Sequence, residues 1–184
     1  MTSSPAMHPD TPTPADSAPV RAVPEDYGSV TPYVVSGDAV GLLDWMIEVF
    51  GAVDRGRMLL PDGSVGHGEV MIGNRVVNVI SRQPGWPVAP AFLSAYVEDA
   101  DAVHARALAA GGTEATPAVV TAWGDRTSRV IDPFGNLWWL QSHVEDVPPD
   151  EMARRLADDR YVTAMTTLAT TGDEAMRTLA APPA

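Results

Sequence analysis

His67 and Glu69 stand two residues apart in Val65-Gly-His-Gly-Glu-Val70, a stretch that reads as a strand. Side chains two apart on a strand share a face, so an imidazole lies beside a carboxylate. Such a neighbour fixes the imidazole tautomer and keeps the ring protonated to higher pH, which is the arrangement of a general base. His67 and Glu69 are therefore the candidate catalytic pair. The competing reading is a solvent-facing pair with no duty. A metal held by this pair would need a third ligand that the sequence does not identify.

Three of the five tryptophans, Trp123, Trp138 and Trp139, fall within 17 positions of one another. Trp138 and Trp139 are adjacent on one strand and must face opposite sides of it. Asp125 and Arg126 follow Trp123-Gly124. An arginine there can grip a ligand carboxylate or phosphate in a bidentate way, or anchor its own loop. His104 falls on a helix and reads as a solvated surface residue.

Composition removes several chemistries. The chain has 184 residues and no cysteine, so disulfides, thiolate zinc sites and thiol nucleophiles are excluded. All 12 basic residues are arginine, which removes lysine Schiff-base and lysine-linked pyridoxal phosphate chemistry. A net charge of −12 with no basic cluster argues against nucleic-acid binding. No apolar run approaches the roughly 20 residues that span a bilayer. The N-terminus has neither the basic nor the apolar region of a secretory signal. The expectation is a soluble, cytoplasmic protein with no membrane or nucleic-acid partner.

The elements that position these residues come in two series. Residues 1 to about 28 are rich in Pro, Ser, Thr, Asp and Ala and are expected to form a disordered arm. Thr31–Ser36 reads as a strand. Asp38 then caps a helix with Val40, Leu43, Met46, Ile47 and Phe50 on one face, and Gly51 stops it. Strands are expected at about 53–60, 65–72 and 75–82, with a turn at Pro61-Asp62-Gly63 and a hairpin at Gly73-Asn74. After a proline-rich connector (83–90) the order restarts. Phe92–Val97 is a strand, Asp99 caps a helix to about Ala110, and strands follow near 114–121, 126–132 and 137–142.

The two series share a register. Asp38-Ala39 and Asp99-Ala100 lie 61 apart, as do Gly51 and Gly112, and Gly73-Asn74 and Gly135-Asn136 lie 62 apart. Each half reads β-α-β-β-β, which makes the chain α+β with an internal duplication. The tail from 148 to 184 reads as two helices, the first led by Pro148-Pro149 with acidic residues in its first turn. The second, about Tyr161 to Leu179, is only weakly amphipathic. The tail is expected to cover an edge or contact a second copy.

Four stretches carry a family resemblance. They are Thr31-Pro-Tyr-Val-Val-Ser-Gly-Asp38 with a helix ending Phe50-Gly51, and His67-Gly-Glu-Val70 before Gly73-Asn74. The others are Tyr96-Val-Glu-Asp99, and Trp123-Gly-Asp-Arg126 followed by Asp132-Pro-Phe-Gly-Asn136. Together they resemble the vicinal-oxygen-chelate superfamily, in its PhnB-like glyoxalase/bleomycin-resistance branch. His143–Val147 with Pro149–Met152 is similar to a further stretch of that branch. The resemblance covers about residues 29–147, with repeats at 29–82 and 91–143. It implies eight strands in a curved mixed sheet around a small-molecule cavity, completed by a homodimer. It does not imply one reaction, because members include metal-dependent isomerases, dioxygenases, fosfomycin-opening transferases and metal-free antibiotic binders.

The resemblance also says where a metal would sit. One ligand comes from the first strand and one from the last strand of each half, typically His or Gln with Glu. Those positions here are Thr31 and Phe92, then Asn78 (or Val77) and Trp139. Phenylalanine and tryptophan are not ligands, and Thr with Asn offers only weak neutral oxygens. The expectation is no metal and no other cofactor. The same alignment aims Thr31, Tyr33, Asn78, Phe92 and Trp139 into the cavity, where Tyr33 can hydrogen-bond a ligand and Trp139 can stack on one or simply fill the space. With Trp123 and Arg126 these form the expected ligand-binding set. Three functions follow as expectations. The first is a metal-independent binder of aromatic or natural-product-like small molecules, of the antibiotic-sequestering type. The second is a metal-free isomerase, cyclase or lyase using His67 and Glu69. The third is a structural or dimerisation role with a filled cavity.

Overall fold

Asp38 accepts a hydrogen bond from the Gly41 amide at 2.8 Å and so caps α1 (Ala39–Phe50). Gly51 ends it in the left-handed region, with φ 65°. Asp99 caps α2 (Ala100–Ala109) through the Ala102 amide at 2.9 Å. Both starts and both stops lie where the sequence put them. The computed structural model describes residues 20–180.

Before and after α1 come β1 (Tyr33–Ser36), then β2 (Val53–Leu59), β3 (Val65–Ile72) and β4 (Arg75–Ser81). Around α2 stand β5 (Phe92–Tyr96), β6 (Thr113–Val120), β7 (Asp125–Ile131) and β8 (Leu137–His143). The eight expected strands are all present. They form two four-stranded sheets, β1-β4-β3-β2 and β5-β8-β7-β6, rather than one continuous ladder. In each, the first strand runs parallel to the last and the rest are antiparallel.

The duplication holds residue by residue. Tyr33 pairs with Asn78 in the first sheet and Ser94 with Trp139 in the second, and both members are 61 positions apart. On the next strands Glu69 stands opposite Asn78, and Arg129 stands opposite Trp139. Glu69 and Arg129 are therefore equivalent positions.

Each sheet has a face packed on its helix and an open face. The helix faces share one core. Leu42, Leu43, Met46 and Val49 of α1 meet Val34, Val70, Val77 and Val79, while Val103 and Ala107 of α2 meet Val130 and Leu140. Trp45, Phe50 and Trp138 join the halves, with Phe50 and Trp138 ring centroids 4.8 Å apart. The buried stripe of α1 differs from the expected one. Val40 is 39% exposed, whereas Leu42 and Val49 are fully buried. α1 serves two partners, its own sheet and the second half, so its apolar stripe is broader and rotated.

His104 is also a correction. It is buried rather than solvated, with Nδ1 2.9 Å from Ser128 Oγ and Nε2 3.1 Å from Glu114. The α2 surface there lies against β7, and the ring reaches two polar partners.

The tail forms α3 (Pro149–Arg155) and α4 (Asp159–Ala180). Tyr161, Leu168 and Ala175, seven residues apart, form a narrow buried stripe. The helix is more amphipathic than expected, with threonines flanking the stripe. α4 lies over the open face of the second sheet, where Thr171 Oγ1 meets Thr116 Oγ1 at 2.7 Å. Of the arm expected over 1–28, residues 1–19 lie outside the described residues. Asp26 and Tyr27 bind the first half, to Arg55 and Glu69 respectively.

Candidate functional site

The open face of the first sheet carries a polar chain. Gly66 and Gly68 lie on the helix face, where a Cβ at Gly68 would approach Leu43 to 2.7 Å. Their alternates His67 and Glu69 therefore point to the open side. His67 Nε2 lies 2.7 Å from Glu69 Oε1, and Nδ1 lies 3.2 Å from the Tyr33 hydroxyl. With Nε2–H donating to the carboxylate, Nδ1 is the lone-pair atom and accepts from Tyr33. Tyr27 donates its hydroxyl to the same Glu69 oxygen. The Tyr27 hydrogen bond, then that of His67, holds the Glu69 carboxyl below its ordinary pKa. Accepting into the neutral hydroxyl's proton, Glu69 pushes the Tyr27 phenol up.

Asn78 sits between Tyr33 and Glu69 in the ladder. It is buried, and its Oδ1 has no hydrogen-bond partner among the described residues. An orphaned buried carbonyl is costly and marks a place where a donor is wanted.

The open face of the second sheet is aromatic and partly covered. Phe92 and Trp139 stack with planes 18° apart and centroids 6.3 Å apart. Arg129 lies on the other side of Trp139, 4.5 Å from its ring centroid. Trp139 donates its indole N–H to Thr127. α4 lies over the Arg129 end of this stack, where Arg129 Nη1 donates to the Leu168 carbonyl at 2.7 Å, and Phe92 stays half exposed.

A third cluster lies at the end of β7 and β8. Asp125, almost fully buried, accepts from the Tyr96 hydroxyl at 2.8 Å and Trp123 Nε1 at 2.9 Å. His143 Nδ1 lies 2.7 Å from its other oxygen. That bond, reinforced by Asp146, raises the His143 pKa above the usual imidazole value. Gly124 shapes the turn here: its φ is 91°, and a Cβ would lie 2.1 Å from the Glu145 carbonyl oxygen. Tyr96 and His143 line a cleft of about 790 Å³ that also touches Met71, Phe50, Arg106 and the start of α2. It lies on the seam between the halves.

The expected ligand-binding set is thus divided. Tyr33 and Asn78 adjoin His67 and Glu69 on the first sheet, with Thr31 just ahead of β1. Phe92 and Trp139 stack together on the second. Trp123 braces Asp125. Arg126 points to the helix face, where it binds Asp101 of α2 and the Ala118 carbonyl. Tyr27 and Arg129 were not singled out by sequence reasoning, and Asp125 was named beside Arg126 without its partners His143 and Tyr96. Tyr27 had one signal, being the only Phe, Tyr or Trp among residues 1–28.

The family metal does not fit. The four positions that would supply it hold Thr31, Asn78, Phe92 and Trp139, and the two aromatic rings are packed on each other. Among the described residues, no three His, Asp or Glu side chains converge in a way that holds an ion.

Comparison with known proteins fits this architecture. An uncharacterized protein of Mycobacterium bovis is 33% identical over 135 residues, covering 67% of this chain and 89% of the relative. An uncharacterized Mycobacterium tuberculosis protein is equally identical over the same length, with 79% of it covered. Among solved structures, TioX from Micromonospora sp. ML1 superposes with TM-score 0.52 at 25% identity, covering 63% of this chain and all of that one. Protein PA1353 from Pseudomonas aeruginosa gives 0.56 at 17% identity over 63% of this chain and 98% of its own. A family model matches residues 30–140, more than half the sequence, and the chain belongs to the glyoxalase/bleomycin resistance protein/dioxygenase superfamily.

Proposed function

We propose that this protein is a metal-independent binder of small aromatic or natural-product-like molecules, of the antibiotic-sequestering type. The observation that carries the reading is the exchange of ligand-type residues for Asn78 and Trp139 at equivalent places on the two open faces. An indole stacked on Phe92 and an unpartnered buried amide oxygen recognise organic molecules by stacking and hydrogen bonding. A homodimer that sets the open faces of two copies together completes the site in this reading. The absence of nucleic-acid partners fits the charge of −12, and a cytoplasmic location belongs to the same reading. Among the described residues, no helix is long and apolar enough to cross a membrane.

A second reading rests on the hydrogen-bonded chain Tyr33–His67–Glu69–Tyr27. In it His67 takes a proton through Tyr33 from a bound molecule, and Glu69 stabilises the imidazolium, giving metal-free isomerase, cyclase or lyase chemistry. One experiment separates the two. Planar aromatic compounds are titrated against tryptophan fluorescence with wild type and His67→Ala, beside metal analysis of the purified protein. Equal binding by both proteins, without turnover, supports the binder. Turnover lost in His67→Ala supports the enzyme. One tightly held divalent ion per chain would overturn both.

A further inference from the structure

Arg129 is the least satisfied cation in the described structure. It is 8% exposed, its Nε has no hydrogen-bond partner, and no carboxylate among the described residues pairs with it. Its Nη1 is met only by neutral oxygens, Leu168 O at 2.7 Å and Thr116 Oγ1 at 3.3 Å. Burial alone lowers its pKa. A buried charge without a counter-charge is costly, and guanidinium recognises carboxylate or phosphate far better than a backbone carbonyl. The other buried arginine, Arg155, has Glu145 and Glu151 beside it.

The element against the guanidinium is α4. Gly172 lets the helix come this near, since a Cβ there would stand 2.7 Å from Arg129 Nη1. The guanidinium itself lies on Trp139, and Trp139 on Phe92, so a cation and two flat rings stand in a row beside α4. Space remains beside the stack. A cleft of about 150 Å³ opens between Phe92 and Met176 and Leu179 of α4.

We propose that α4 is a lid standing in for the ligand of the second half, and that this ligand is a small planar aromatic anion. Its carboxylate takes the Arg129 contact that the Leu168 carbonyl now holds, and its ring joins the Trp139–Phe92 stack as α4 lifts. The inference rests on the small-molecule reading above and adds charge selectivity and a gate. α4 is tied down through a narrow stripe of Tyr161, Leu168 and Ala175, which suits an element that must detach.

The test uses the full chain with 2-naphthoate and its neutral counterpart 2-naphthylmethanol. Tryptophan fluorescence reads affinity, and hydrogen exchange of residues 159–180 reads the lid. Naphthoate is expected to bind wild type about tenfold or more tightly than the alcohol and to speed exchange in α4. Leu168→Ser, which loosens α4 while leaving the Leu168 backbone carbonyl in place, should bind naphthoate about tenfold tighter still, because the competent state is more populated. Arg129→Gln should erase the preference for the anion. Equal affinity for both probes, or binding with unchanged exchange in α4, overturns the lid and leaves the binder standing. No binding of either probe by wild type or by Leu168→Ser overturns both. The wild-type comparison does not depend on how well either variant folds.

Discussion

The two open faces are built on one register and have opposite chemistry. Where the first sheet has Glu69 beside Asn78, the second has Arg129 beside Trp139. Where the first has His67 two residues before Glu69, the second has Thr127 two residues before Arg129, opposite Gln141. The first face is polar and partly open, and among the described residues Asp26 and Tyr27 of the N-terminal segment touch it, through Arg55 and Glu69. The second is cationic, aromatic and roofed by a 22-residue helix. Duplication thus supplies a frame, and the residues at four or five equivalent positions decide what each half can do.

The largest difference should appear in the core behind these faces. Trp138 and Val77 are equivalent, 61 apart, and both point at the helices. Trp138 touches Trp45 and Phe50 and donates to Asp132 at 2.9 Å, so it joins the halves as well as filling its own. Trp138→Ala is expected to cost about 3–5 kcal/mol. Val77→Ala should cost visibly less, since far less volume is lost. Urea unfolding of the two variants decides it, and equal losses would show that the halves are not joined through Trp138.

The next difference is in the response to pH. In the first half, Glu69 has a folded pKa below its unfolded one. Its contribution to stability is present above the unfolded value and is lost as pH falls through the folded value. In the second half, His143 has a folded pKa above its unfolded one, held there first by Asp125. Its contribution is complete below the unfolded value, near about 6.5, and is lost as pH rises through the folded value. Thermal melts across pH should therefore show two limbs of opposite sign. Glu69→Gln should flatten the acid limb alone, and Asp125→Asn the near-neutral limb alone. If either substitution changed both limbs, the clusters would be coupled and the comparison would fail.

How much of this was legible in the sequence follows from the range of each interaction. Helix caps, turns and strand spacing are local, and Asp38, Asp99, Gly51 and the 61-residue offset were readable directly. So was the His67–Glu69 contact, which needs only strand alternation. Arg126 was not, because its face depends on where β7 begins, and one residue decides between a ligand and Asp101. Arg129 and His143 depend on partners 39 and 18 residues away, in elements whose docking no local pattern reveals. α4 was visible as a helix, but its seat on the second open face was not.

The smallest effect belongs to the element that distinguishes the first face, the Tyr27 contact. The hydroxyl is the first cause of the lowered Glu69 pKa and, with Asp26 on Arg55, tethers this segment to the first sheet. Tyr27→Phe keeps the ring and removes that bond, so it should cost about 0.5–1.5 kcal/mol. Glu69 should then titrate nearer its ordinary value, moving the acid limb to higher pH while the limb from His143 stays in place. Carboxyl carbon shifts of Glu69 followed by NMR would read this directly. If the Glu69 titration did not move, His67 alone would be holding the carboxylate, and the N-terminal segment would have no part in the chemistry of the first face.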